Sequence, residues 1–140
     1  MNSIEEVLPL LETVIKGIAK HFGSSCELIL HDYQKEFSSS IVAIETGELT
    51  GRSVGKGGTE IGLRIIQGDQ REDGLYHYMT QTKQGRRLHS STIYLKNDQG
   101  EILGSLCINN DITDLLNLKT TVNQLVEPFE QASEPAETIV

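Results

Sequence analysis

The sequence predicts an α+β domain: a five-stranded antiparallel sheet with short helices on one face, flanked by an N-terminal amphipathic helix and a C-terminal helix. Three observations carry this reading. Apolar residues near both ends recur at helical spacing, five short runs between residues 26 and 110 have strand character, and turn residues separate those runs. Two strand runs, a helical break and three more strand runs favour one antiparallel sheet covered by helices. A chain of 140 residues, 37% hydrophobic and 23% charged, fits one such domain.

The first helix spans Ile4 to Phe22, where Ile4, Val7, Leu8, Leu11, Val14, Ile15, Ile18, Ala19 and Phe22 make an apolar stripe. Ser3 and Glu6 form a capping box, and Gly23 supplies the stop. CELILHD, from Cys26 to Asp32, and SIVAIETG, from Ser40 to Gly47, read as strands. The glycine-rich turn from Gly51 to Gly58 then leads into TEIGLRIIQ, a short helix capped by Thr59 and ended by Gly68.

Three strand runs follow, GLYHYMTQT from Gly74, RLHSSTIYLK from Arg87 and EILGSLCINN from Glu101, with Asn97 to Gly100 as the last hairpin turn. Pairing Lys96 with Glu101 puts His89, Ser91, Ile93 and Leu95 on a face with Ile102, Leu106, Ile108 and Asn110. Ser90, Thr92, Tyr94, Leu103, Ser105, Cys107 and Asn109 then share the other face, and a one-residue slip would exchange the two. Asp111 is a good N-cap for the last helix, and Asp114 suits its first turn. That helix is expected to run to about Glu127, before Pro128. The resulting division is a helix over 1–23, a core over 24–112, an outgoing helix over 113–127 and a disordered acidic tail over 128–140.

The net charge of −8 argues against this chain coating a phosphate backbone. The charge is uneven: residues 1–96 hold 11 basic and 12 acidic side chains, whereas residues 97–140 hold 1 and 8. Cys26 and Cys107 lie far apart in apolar runs, which reads as two reduced thiols. The N-terminus MNSIEEVLPL carries glutamates where a signal peptide carries lysines, and no run approaches the ~20 apolar residues of a membrane span. The chain therefore reads as cytoplasmic, with no membrane partner.

No catalytic constellation stands out. GELTGRSVGKGGT departs from a phosphate-binding loop, since only three residues separate Gly51 from Gly55 and Gly57 follows Lys56. Its glycines are better explained by positive φ angles in a connection. The four histidines show no HExxH spacing, no GxSxG elbow is present, and no acid/base carboxylate pair is evident, so neither an enzyme nor a metal site is expected. More informative are polar residues inside core-forming strands: His89, Ser90, Ser91 and Thr92 in one, Ser105, Asn109 and Asn110 in the next. Buried, they need partners, which can be the protein itself or a small ligand.

The tripeptide Asp111-Ile112-Thr113 resembles the DIT with which many PAS sensor domains end their last strand, its polar side chains fastening an outgoing signalling helix. With VAIETGELTGRSVGKGGTEIGL and GRRLHSSTIYLKNDQGEILGSLCINNDIT, the chain from the first helix to about residue 116 is similar to the YheO-like PAS domain of bacterial transcriptional regulators. The resemblance implies a PAS-like fold, a small-molecule sensing role without catalysis, and DNA binding only through a C-terminal helix-turn-helix domain. No such domain follows Asp114, so a truncated regulator is expected.

A small polar metabolite is expected between the sheet and the short helix, with His31, Asp32, Tyr78, Ser90, Ser91, Asn109 and Asn110 as candidate contacts. Asp111 and Thr113 would pass its presence to the outgoing helix, and the apolar stripes of both helices suit a homodimer. Flavin photochemistry is disfavoured because both cysteines lie in strands, and haem because it would need an axial residue such as His77. A ligand-free dimerisation module is the alternative.

Overall fold

A computed structural model describes residues 1–57, 72–134 and 137–139. The order is α1 (Ile4–Phe22), β1 (Cys26–Asp32), β2 (Ile41–Glu45), β3 (Gly74–Gln81), β4 (Arg87–Lys96), β5 (Ile102–Asp111) and α2 (Thr113–Glu130), with single 3₁₀ turns at Gly23–Ser25, Phe37–Ser39 and Gly47–Leu49. The strands form one antiparallel sheet in the order β2-β1-β5-β4-β3. The short helix expected after Thr59 lies outside the described residues.

The first helix begins as its capping residues dictate. The Glu6 amide donates to Ser3 Oγ, while the Glu6 carboxylate reaches back to the Asn2 amide rather than to Ser3's own. Ile4 and Ile15 are fully buried, and Leu8, Leu11 and Ile18 pack around them against Cys26, Leu28, Leu30, Ala43, Leu103 and Leu106. The core therefore lies between α1 and one face of β1, β2 and β5. Gly104 permits this closeness: a Cβ there would stand 2.1 Å from the His31 carbonyl and 2.9 Å from Ile4 Cδ1.

Three details depart from the sequence expectation. Leu95 pairs with Gly104, where a Lys96–Glu101 pair would set it opposite Ile102, a shift of two residues that a bulge reduces to one at Lys96, paired with Ile102. An even shift preserves the faces, so Ser90, Thr92 and Tyr94 still lie alongside Asn109, Cys107 and Ser105. At the bulge itself the parity breaks, and Leu103 joins the core under α1 instead of the opposite face. Second, Ile112 rather than Asp111 occupies the capping position of α2 and makes no side-chain cap. Third, α2 continues through Pro128 to Glu130 rather than stopping at Glu127. Proline removes one N–H donor to the preceding turn but does not block the amides that follow it, and the Gln131 amide still reaches the Glu127 carbonyl.

Candidate functional site

Alternation along β1 sends Cys26, Leu28 and Leu30 to α1 and leaves Glu27, Ile29 and His31 on the opposite face. Register sets Glu27 beside Asn109, Ile29 beside Cys107 and His31 beside Ser105. On the other side of β5 the same three residues face Ser90, Thr92 and Tyr94. The face turned away from α1 is consequently a polar floor, and an open cavity of about 440 Å³ lies over it.

At one end of the floor is a fully buried carboxylate. Glu27 Oε1 accepts from Arg52 Nη2 at 2.8 Å and from Asn109 Nδ2 at 2.9 Å, and its Oε2 accepts from Thr50 Oγ1. Arg52 Nε also donates to Thr50 Oγ1 at 3.0 Å. An unpaired carboxylate would be very costly here, and these donors satisfy both oxygens. Arg52 and Thr50 belong to the glycine-rich connection, in which Gly51, at φ 76°, takes a backbone conformation that disfavours other residues.

The rest of the floor is a set of hydroxyl pairs: Tyr33 with Ser105 at 2.7 Å, Tyr78 with Thr92 at 2.7 Å, and Thr80 with Ser90 at 2.9 Å. The Thr92 hydroxyl also lies 3.4 Å from Cys107 Sγ. Burial raises the Cys107 thiol pKa, favouring the protonated form. His31 stacks on Tyr33, and its Nδ1 shares a 2.8 Å hydrogen bond with Ser40 Oγ. Burial, aided by the charge of Arg52, lowers its pKa to about 4, so the imidazole is neutral at pH 7.

Of the residues singled out from the sequence, His31, Tyr78 and Asn109 line this cavity, and Ser90 lies on the same face, fully buried against Thr80. Asp32, Ser91 and Asn110 are not brought to it. Asp32 accepts from the Gln34 amide and lines a second depression beside Ile4 and Leu8. Ser91 accepts from the His77 amide, while Asn110 stands opposite Cys26 and His89. His77 does not line the cavity either: its Nδ1 lies 3.0 Å from His89 Nε2. Among the described residues no cluster of three His, Cys, Asp or Glu side chains could hold a metal.

Sequence reasoning missed Glu27, Arg52 and Thr50. The available signal was the polar member of a period-two pattern, since a glutamate between Cys26 and Leu28 must lie on the face that excludes both.

At the end of the sheet, Asp111 Oδ1 accepts from the amide and hydroxyl of Thr113 at 3.0 and 2.7 Å, and Oδ2 accepts from Arg86 Nε at 2.7 Å. Thr113 Oγ1 in turn accepts from the Arg87 amide at 2.7 Å. Arg86 also reaches Asp114, at 3.5 Å. Burial opposes charge on Asp111, but the hydrogen bonds from Arg86 and Thr113 outweigh it and hold the carboxyl below its ordinary pKa. The first turn of α2 is thereby tied to the β3–β4 hairpin, whose residues Gln81 to Gln84 line the cavity.

The comparisons agree with this architecture. Residues 2–127 match the YheO-like PAS domain family. The chain is 32% identical over 132 residues to the uncharacterised protein YheO of Escherichia coli K12, covering 93% of this chain and 52% of that protein. An uncharacterised Haemophilus influenzae protein is 29% identical over 134 residues, covering 96% and 58%. The chain thus spans about half the length of the curated relatives it matches. A sensory box histidine kinase/response regulator from Burkholderia thailandensis superposes with a TM-score of 0.51 at 16% identity, covering 83% of this chain and 98% of that one. No helix among the described residues is long and apolar enough to cross a membrane. Sheet order, DIT clasp and sequence match lead to one assignment: the chain belongs to the YheO-like PAS domain family.

Proposed function

We propose that this chain is the small-molecule sensing and dimerisation domain of a bacterial transcriptional regulator, without catalysis of its own. The observation that carries the sensing role is the cavity over the polar floor, whose volume falls within the range of small-molecule sites. Occupancy would act through two connections. Asn109, which lines the cavity, lies two residues before Asp111 on β5, and the hairpin tip at Thr82–Gln84 leads directly to Arg86. A ligand that draws in either element changes the purchase of Arg86 on Asp111 and Asp114, and so biases α2 between two settings. DNA contact falls to residues outside this acidic chain.

The dimerisation role rests on α2. Leu115, Leu118, Val122, Leu125 and Phe129 are all exposed and alternate at spacings of three and four, the a/d repeat of a coiled coil. Valine at one a position with leucine at both d positions suits a parallel pair, in which Asp114 of each copy lies across from Lys119 of the other. Light scattering should give a dimer mass for the chain and a monomer mass for Leu118→Lys/Leu125→Lys. A monomeric wild type at tens of micromolar removes the dimer. For sensing, a thermal-shift and calorimetric screen of amino acids, oxo acids and nucleotides should yield a binder; none, in a preparation free of bound metabolite, removes the sensory role.

A ligand-free dimerisation module is the second reading, favoured by one observation: every buried side-chain nitrogen and oxygen among the described residues already has a partner. It predicts unchanged dimer affinity after Asn109→Ala.

A further inference from the structure

Building on the sensory reading, we propose that the cavity selects small organic acids, holding them by one or two carboxylates, and rejects amines and zwitterionic amino acids. Its described lining contains Arg52, Lys56 and Lys83 and no aspartate or glutamate, in a chain whose net charge is −8. Positive charge is therefore gathered at a concave polar surface of an acidic protein, which focuses anions into it.

The division of labour among the cations is specific. Lys56, in the glycine-rich connection, and Lys83, in the β3–β4 hairpin, are exposed and line the cavity, where they attract an anion without being needed for packing. Arg52 lies deeper, its side chain 22% exposed, with Nε on Thr50 and Nη2 on Glu27. Its Nη1 donates to no described residue, and the guanidinium is already held in place, so little side-chain entropy is lost when a carboxylate docks. Glu27 cannot serve an incoming ammonium: it is fully buried, and both its oxygens are engaged by Arg52, Asn109 and Thr50. An α-amino group would enter beside Lys56 and Lys83, with Arg52 already balanced by Glu27 and no described acidic lining group to receive it. A carbonyl or hydroxyl at the same carbon meets Tyr78, Thr80 and Asn109 instead. Discrimination between an oxo acid and its amino counterpart thus comes from repulsion as much as from attraction.

Calorimetric titration of the chain with 2-oxoglutarate, succinate, succinamide, L-glutamate and putrescine tests this. At least one of the two acids should bind roughly 10-fold or more tightly than its neutral or amino counterpart, the effect of one charge-assisted contact. Affinity should fall with added salt. Lys56→Gln/Lys83→Gln, at exposed positions, should weaken that binding by roughly 10-fold with the melting temperature unchanged. Preference for succinamide, L-glutamate or putrescine, or unaltered binding in the double variant, overturns the charge assignment and leaves the sensory role intact. Silence of all five probes, with a binder of another class in the wider screen, also overturns the assignment alone. Silence in both overturns both.

Discussion

Protonation of His31 offers a quantitative test of the floor of the cavity. The imidazole is 4% exposed, hydrogen-bonded to Ser40 and stacked on Tyr33, and its pKa falls from an ordinary 6.5 to about 4. The unfolded chain therefore takes up the proton first. Stability from the neutral form is fully present above pH 6.5, declines as pH falls, and levels off below about 4. At 1.36 kcal/mol per unit, the loss is about 1 kcal/mol at pH 5.5 and about 2–3 kcal/mol at pH 4.5. Urea denaturation of wild type and His31→Asn at pH 7.5, 5.5 and 4.5 isolates this contribution. The asparagine lacks the titrating ring, and its lost packing is the same at each pH. Carboxylates that protonate in this range do so in both proteins and cancel in the difference. The wild-type advantage should shrink by about 2–3 kcal/mol between pH 7.5 and 4.5. A difference that stays constant to within 0.5 kcal/mol, a margin of roughly one-third of a pKa unit, refutes the account of a buried neutral imidazole.

Three other substitutions probe the remaining connections. Arg52→Ala should cost about 3–5 kcal/mol by stranding a buried carboxylate, whereas Glu27→Gln should cost less because Arg52 can turn to solvent. Equal costs in chemical denaturation would contradict the asymmetry. Gly104→Ala should lose about 3 kcal/mol or more, since a Cβ at 2.1 Å from the His31 carbonyl forces apart β1 and β5; a circular-dichroism melt within a few degrees of wild type argues against that close approach. Asp111→Asn should speed amide hydrogen exchange in the first turns of α2 by several-fold while leaving that of β1 unchanged, because it loosens Arg86 and Thr113 without touching the core. Equal acceleration in both elements would place Asp111 in the global fold instead of the helix clasp.

Much of the architecture was legible in local pattern. The stripe from Ile4 to Phe22 specified α1, including its start at Ser3, because helix periodicity and capping depend only on neighbours within four residues. All five strands appeared near their expected places for the same reason. The polar face of β4 and β5 was also legible, and it survived a two-residue error in register because side-chain direction depends on parity alone. The end of α2 was misread at Pro128, because proline removes its own N–H donor but leaves the amides after it free to continue the helix. Asp32, Ser91 and Asn110 look equivalent to His31, Ser90 and Asn109 in composition. Only the strand faces separate the two sets.

The sequence by itself determined periodicity, polarity and charge: two amphipathic helices, alternating strands, a DIT at the last strand's end and an acidic final third. Each follows from contacts or spacing within a few residues. Tertiary structure decided what those residues do together. Glu27 meets Arg52 and Asn109, and Arg86 meets Asp111, only because β1 lies between β2 and β5 and the β3–β4 hairpin returns beside the start of α2. Strand order is set by which long-range pairings bury the most apolar surface while leaving no polar group unpaired, a global balance that no local window of sequence contains. That balance turned a glutamate in an apolar strand and an arginine in a glycine-rich loop into one end of the cavity floor.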